Sequence, residues 1–195
     1  MLKTVRRSLD EVLRKLERDV AEKGASYAAL HALRPGEAVT EADLAAAEQR
    51  LGVRYPPSYR EFMLKFGLFS LGDPAAEHDH LVFRAWPLAE HRTALTRVAE
   101  EELECSPTAK AVAEELGLDE DVVAVLGETI LVGCEGHEDF VGFDLRTRGD
   151  GGECAFGLCS MDDGEIEALA EKRPSPCAAR GFDQWLAKHI NRRRQ

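Results

Sequence analysis

The stretch that decides the fold is TEADLAAAEQRLGVRYPPSYREFMLKFG, Thr40–Gly67. Thr40 is a good N-cap, and Glu41 and Asp43 fall in the first turn, where carboxylates complement the positive end of the helix dipole. Leu44, Ala47 and Leu51 recur at helical spacing, and Gly52 supplies the stop. After Val53-Arg54-Tyr55-Pro56, Pro57 suits the first position of another helix, where its missing N–H costs no bond. Tyr59, Phe62, Met63 and Phe66 form that helix's stripe and Gly67 closes it. With Tyr55 and Phe69, these rings could line an exposed binding surface, but at helical spacing they read as core.

Working outward, residues 2–22 carry Val5, Leu9, Val12, Leu13, Leu16 and Val20 at helical spacing and stop at Gly24. Arg34-Pro35-Gly36 reads as a connector. Beyond Gly67, residues 68–80 read as a loop with a turn at Gly72-Asp73-Pro74, and Leu81–Trp86 as a strand. Pro87 is expected to open a helix bearing Leu88, Leu95, Val98 and Ala99. A shorter helix runs from a Ser106 cap to Gly117. Four strands are expected at Val122–Leu126, Thr129–Cys134, Phe140–Leu145 and Cys154–Leu158. The short gaps at Gly127-Glu128, Glu135-Gly136 and Arg148–Gly152 imply an antiparallel meander. Helices over 162–172, stopped by Pro174, and 181–191 close the chain, the last with Phe182, Trp185, Leu186 and Ile190 on one face. Helices, then strands, then helices is an α+β pattern, and the length suits one domain over 1–195.

Three landmarks recur in a known order. The first comprises Glu48, Leu51-Gly52, Tyr55-Pro56, Tyr59, Phe62 and Gly67; the second is Phe140–Leu145, ending Asp-Leu; the third is Gly181–Leu186. Together they resemble the signature of the SUKH superfamily, the Smi/Knr-like domains, over residues 40–190. The family usually has Asn-Gly where this chain has Phe66-Gly67, and residues 1–24 look like an added N-terminal helix. The resemblance implies a mixed, largely antiparallel β-sheet packed by N-terminal and C-terminal helices. It also implies a non-enzymatic binding protein. Many bacterial members are implied to be immunity proteins that neutralise toxins, often nucleases, and fungal relatives to be regulatory scaffolds of cell-wall synthesis.

Composition narrows the function classes. No stretch of 18 uninterrupted apolar residues occurs, and charges at Asp10, Glu11, Arg14 and Lys15 leave no apolar export segment after Arg6-Arg7. A cytoplasmic protein of bacterial composition is expected, its five irregularly spaced cysteines reduced. The net charge of −11 is unevenly spread: residues 1–97 carry +1, residues 98–171 carry −18 and residues 172–195 carry +6. Nucleic acid is therefore an unsuitable partner, a membrane is not expected, and a basic protein is the better fit.

No metal or cofactor is expected. His78 and His80 could be two metal ligands, with His91 or Cys134 and His137 completing a set, but the two close pairs stand in segments more than fifty residues apart and lack the usual zinc pattern. Cys134, His137 and Asp139 could be assembled into a hydrolase triad, but three residues on one turn do not define a cleft. Gly149-Asp150-Gly151-Gly152 lacks the Lys-Ser/Thr of a phosphate loop and reads as a hairpin turn. Glu100, Glu101, Glu102 and Glu104 stand at the expected C-terminal end of a helix, where negative charge opposes the dipole. They are either a solvated face or charge kept for a use. The use proposed is docking of a basic toxin domain, with the turn and loop acids Glu135, Glu138, Asp139, Asp150, Glu153, Asp162, Asp163 and Glu165 as candidate contacts. The rival reading is a regulatory or scaffolding protein on the same fold, without a toxin.

Overall fold

The computed structural model describes residues 33–72, 81–102, 117–135, 139–159 and 179–192, with isolated helical positions between 11 and 22 and at 111 and 114. The expected helices over 2–22, 106–117 and 162–172 therefore lie wholly or largely outside the described residues. The fold is α+β, with five described helices and a seven-stranded sheet. In chain order the elements are β1 (Leu33–Arg34), α1 (Glu41–Leu51), α2 (Pro57–Phe66), β2 (Ser70–Gly72), β3 (Leu81–Ala85) and β4 (Arg92–Thr93). They continue with α3 (Ala94–Glu102), α4 (Glu120–Gly127), β5 (Thr129–Glu135), β6 (Asp139–Asp144), β7 (Ala155–Cys159) and α5 (Phe182–Arg192). The sheet order is β1-β2-β3-β5-β6-β7, and β4 pairs with β5 beyond the end of β3. Every described pairing is antiparallel.

The two central helices form as their residues dictate. Thr40 Oγ1 accepts the Asp43 N–H at 3.2 Å and Asp43 returns the bond to the Thr40 N–H at 2.8 Å, a reciprocal capping box. Gly52 ends α1 in the left-handed conformation, φ 69°. Gly67 ends α2 at φ 68°, ψ −148°, and an added Cβ there would stand 2.0 Å from the Glu37 carbonyl oxygen.

Alternation along the strands divides the core between two faces. Ile130, Val132, Val141, Phe143 and Phe156 pack with Tyr59, Phe62, Phe69, Phe83, Phe182 and Trp185 beneath α1, α2 and α5. Leu131 joins Ala94, Val98, Val122 and Leu126 beneath α3 and α4, with Trp86 and Phe140 at the margin. The aromatic stripe of the opening stretch is thus core: Tyr59 and Phe62 are fully buried, and Phe182 lies 5.1–5.3 Å from both rings.

Several local expectations are corrected. Val122–Leu126 is not a strand but the body of α4. Glu120 and Asp121 occupy its first turn, and Val122, Val125 and Leu126 are its buried positions, a helical period that a short apolar run conceals. Ser70–Gly72 is a strand rather than loop, and it pairs with Leu33–Arg34, which is strand rather than connector. Pro87 opens only a 3₁₀ turn, Leu88–Glu90. The helix proper starts after Thr93, whose Oγ1 accepts the Thr96 N–H at 3.0 Å.

Candidate binding surface

Glu48 fixes the joint between α1 and α2. Its Oε1 accepts the Tyr55 N–H at 2.8 Å and pairs with Arg60 Nη1 at 2.6 Å, while Arg60 also pairs with Glu41. Arg50 donates to the carbonyls of Leu88 and His91 at 2.7 and 2.8 Å, tying α1 to the segment before β4. Behind this joint, the Tyr55 hydroxyl meets His91 Nδ1 at 2.5 Å, and His91 Nε2 meets the Trp86 carbonyl at 3.1 Å. A carbonyl only accepts, so Nε2 carries the proton and Nδ1 accepts from Tyr55. His91 is fully buried, and burial pushes its pKa down to about 3 against the raising effect of the Trp86 carbonyl. The ring is neutral at pH 7.

The exposed faces of α1 and α2 bound a groove of about 780 Å³ that reaches the turn before β7. Arg148 lies at one end, donating to the carbonyls of Arg54 at 2.5 Å and Gly152 at 3.3 Å. Leu64, on the α2 wall, is the large apolar side chain left exposed among the described residues, at 38%.

The candidate acids fall in different places. Glu135 and Asp139 are register partners at the tip of the β5–β6 hairpin. Glu138 lies in the connection between them, and Asp162, Asp163 and Glu165 lie further on, all four of these outside the described residues. Asp150 is exposed in the turn at the other end of β6, roughly 17 Å of strand away. Glu153 is not the exposed loop acid expected. It is half-buried, and its carboxylate accepts the Ser58 N–H at 2.8 Å and the Ser58 hydroxyl at 2.7 Å. It thereby caps α2, which has no cap of its own from Pro56. Burial raises the Glu153 pKa, the Ser58 bonds and Arg148 lower it, and Asp183 raises it.

α3 packs against the β5–β6 hairpin. Thr93, at the start of the helix, stands opposite Ile130, and Arg97 stacks over the Phe140 ring at 5.2 Å, next to Asp139. Glu100, Glu101 and Glu102 follow within about one and a half turns, with no basic residue in that last turn. Glu100 pairs with Arg92. Cys134, entertained as a nucleophile, is buried opposite Phe140 on the strand. Among the described residues no three His, Cys, Asp or Glu side chains are grouped as metal ligands, and no helix is long and apolar enough to cross a membrane.

A model of the SMI1/KNR4 family (SUKH-1) matches residues 38–187, about three-quarters of the chain. The chain belongs to that family. The match opens just before the Thr40 cap and ends within α5, so it spans the helix pair, the sheet and the closing helix. No curated relative matches the chain. In this SUKH-1 protein, the signature residues Glu48 and Tyr55 serve to clamp the α1–α2 joint. In the sequence Glu48 stands out only as a motif letter and His91 only as a possible metal ligand; nothing in the local pattern signals that a buried tyrosine hydroxyl would hold that ring. The inward turn of Glu153 was equally hidden, because its partner Ser58 lies 95 positions away.

Proposed function

We propose that the protein is a non-enzymatic binding module, an immunity protein that neutralises a basic toxin domain by occluding it with an acidic surface. Membership of the SUKH-1 family, typical of immunity proteins, supports the class. What supports the mechanism is the packing of α3, which ends in Glu100-Glu101-Glu102, against the β5–β6 hairpin, whose register sets Glu135 opposite Asp139. Like charges placed opposite each other, as Glu135 and Asp139 are by register, cost stability in isolation. Acids at a helix C-terminus do the same. A basic counter-surface reverses both costs.

Opposite potentials then speed encounter, and packing at the interface sets the lifetime of the complex. A nuclease toxin, which must carry positive charge to hold phosphate, has the required chemistry. The protein would act in the bacterial cytoplasm. Glu153 is better assigned to capping than to contact, and Glu135, Glu138 and Asp139 with the α3 acids stand first among the candidate contacts. Asp162, Asp163 and Glu165 extend the set.

If a large secreted protein is encoded beside this gene, the test uses its C-terminal domain. Co-expression should protect the host from that domain. Glu135→Gln, Glu138→Gln and Asp139→Asn together should slow association and flatten its salt dependence with folding intact. Absence of protection would refute the immunity reading in favour of the scaffold. Protection with unchanged rates and salt slope in the triple variant would refute the acidic surface.

A further inference from the structure

We propose that Arg50, Tyr55 and His91 are positioning residues for the binding surface: a clasp through which the α1–α2 joint, on one sheet face, fixes α3 on the other. The link to partner binding rests on the immunity reading; the clasp itself does not. Residues 86–91 carry the chain across the end of β3. Trp86 packs against the core beneath α3 and α4, whereas Leu88 packs against the core beneath α1, α2 and α5. Among the described residues, the backbone of this crossing bonds to the sheet once, from the Trp86 N–H to the Val132 carbonyl at 3.0 Å. Its other backbone bonds, from Glu90 to Pro87 and from His91 to Leu88, stay within the 3₁₀ turn. A connection held so lightly opens locally unless side chains secure it.

Three side chains do so. Arg50 Nη2, in the last turn of α1, donates to the Leu88 and His91 carbonyls at 2.7 and 2.8 Å. The Tyr55 hydroxyl, between α1 and α2, donates to His91 Nδ1 at 2.5 Å, and His91 Nε2 donates to the Trp86 carbonyl at 3.1 Å. The imidazole thus ties the two ends of the crossing together. Both rings are buried, which strengthens these bonds relative to water. What the crossing delivers is α3. Arg92 and Thr93 pair with β5 directly after His91, Thr93 caps the helix, and Arg92 pairs with Glu100 in its last turn. At the other end of the crossing, the Trp86 indole stands 5.6 Å from the Phe140 ring, on which Arg97 of α3 stacks. The clasp therefore grips both the segment that starts α3 and the aromatic contact under its middle. Holding a contact surface in its bound arrangement removes an ordering cost from binding.

Hydrogen exchange on the full chain alone tests the clasp. Tyr55→Phe keeps the ring and removes the hydroxyl, and Arg50→Gln changes an exposed position. Each variant should speed exchange of the α3 amides by about five- to tenfold, with those of α2 and β6 within about twofold of wild type. Wild-type exchange in α3 would overturn the proposal. So would an equal rise in α2, β6 and α3, which marks general destabilisation instead of a local tie. The link to binding is read with the C-terminal domain that serves the immunity test. Tyr55→Phe changes no charge, so association should stay within about twofold of wild type while dissociation is at least about fivefold faster. An unchanged dissociation rate would refute the link. A wild-type protein that binds no such domain would refute the immunity reading instead, and the exchange result would still decide the clasp.

Discussion

Replacing His91 by Asn should remove a specific acid sensitivity from the fold. In the unfolded chain this imidazole takes up its proton near pH 6.5, whereas in the folded protein burial holds its pKa at about 3. A folded-state pKa below the unfolded value means that the unfolded chain binds the extra proton. His91 therefore costs nothing above about pH 6.5, and stability falls as pH drops from there towards 3. The slope for one proton is about 1.4 kcal/mol per pH unit, so between pH 6.5 and 4 this residue alone withdraws about 3 kcal/mol. In the Asn variant, Oδ1 can still accept from the Tyr55 hydroxyl, but the donor to the Trp86 carbonyl is lost. At pH 7 the variant should be less stable by about 2 kcal/mol. Urea unfolding of both proteins at pH 7, 5.5 and 4 measures the gap. Protonation of the carboxylates common to both proteins cancels in that gap, so it should close and then reverse. A gap constant within about 0.5 kcal/mol from pH 7 to pH 4 would show that the ring is protonated in the folded state, and the buried neutral clasp would be wrong.

Three further outcomes follow from particular contacts. Trp185→Ala should cost about 3–5 kcal/mol by chemical denaturation, because the indole is 2% exposed and packs on Phe83 and Phe156 at 5.2 and 4.9 Å; near-wild-type stability would remove α5 from the core. Glu153→Gln should be at least as stable as the wild type at pH 7, since a carboxyl pKa raised on folding favours the neutral form at that site. The wild type's relative deficit should vanish as pH falls through the folded pKa of Glu153, and a variant that loses stability equally at all pH values would contradict this. Gly67→Ala should cost more than about 1–3 kcal/mol in thermal melts, since it adds a clash with the Glu37 carbonyl to a backbone conformation reserved for glycine; a neutral substitution would mean that the turn after α2 has room to shift.

Elements whose signals are local were legible in the chain alone. The Thr40 cap with Asp43, the Gly52 and Gly67 stops, Pro57 at the head of α2 and the Phe182–Trp185 face of α5 depend on neighbours within a few residues, and each forms where the pattern puts it. So do the strands from Thr129 and from Phe140, whose apolar runs are bounded by turn residues. The short pieces depended on long-range pairing. Leu33–Arg34 and Ser70–Gly72 are strands because each is the other's hydrogen-bonding partner, and Val122–Leu126 is helical because the sheet face under it asks for Val122, Val125 and Leu126 together. The same division holds for the candidate site. A tally of carboxylates located the acidic half of the chain. Which acids stay available depended on the partners the fold supplies: Ser58, 95 positions away, takes Glu153, while the nearer Arg146 and Arg92 take Asp144 and Glu100. Charge is a property of the residue, but a carboxylate's availability to a partner is a property of its surroundings, and those exist only once the chain has folded.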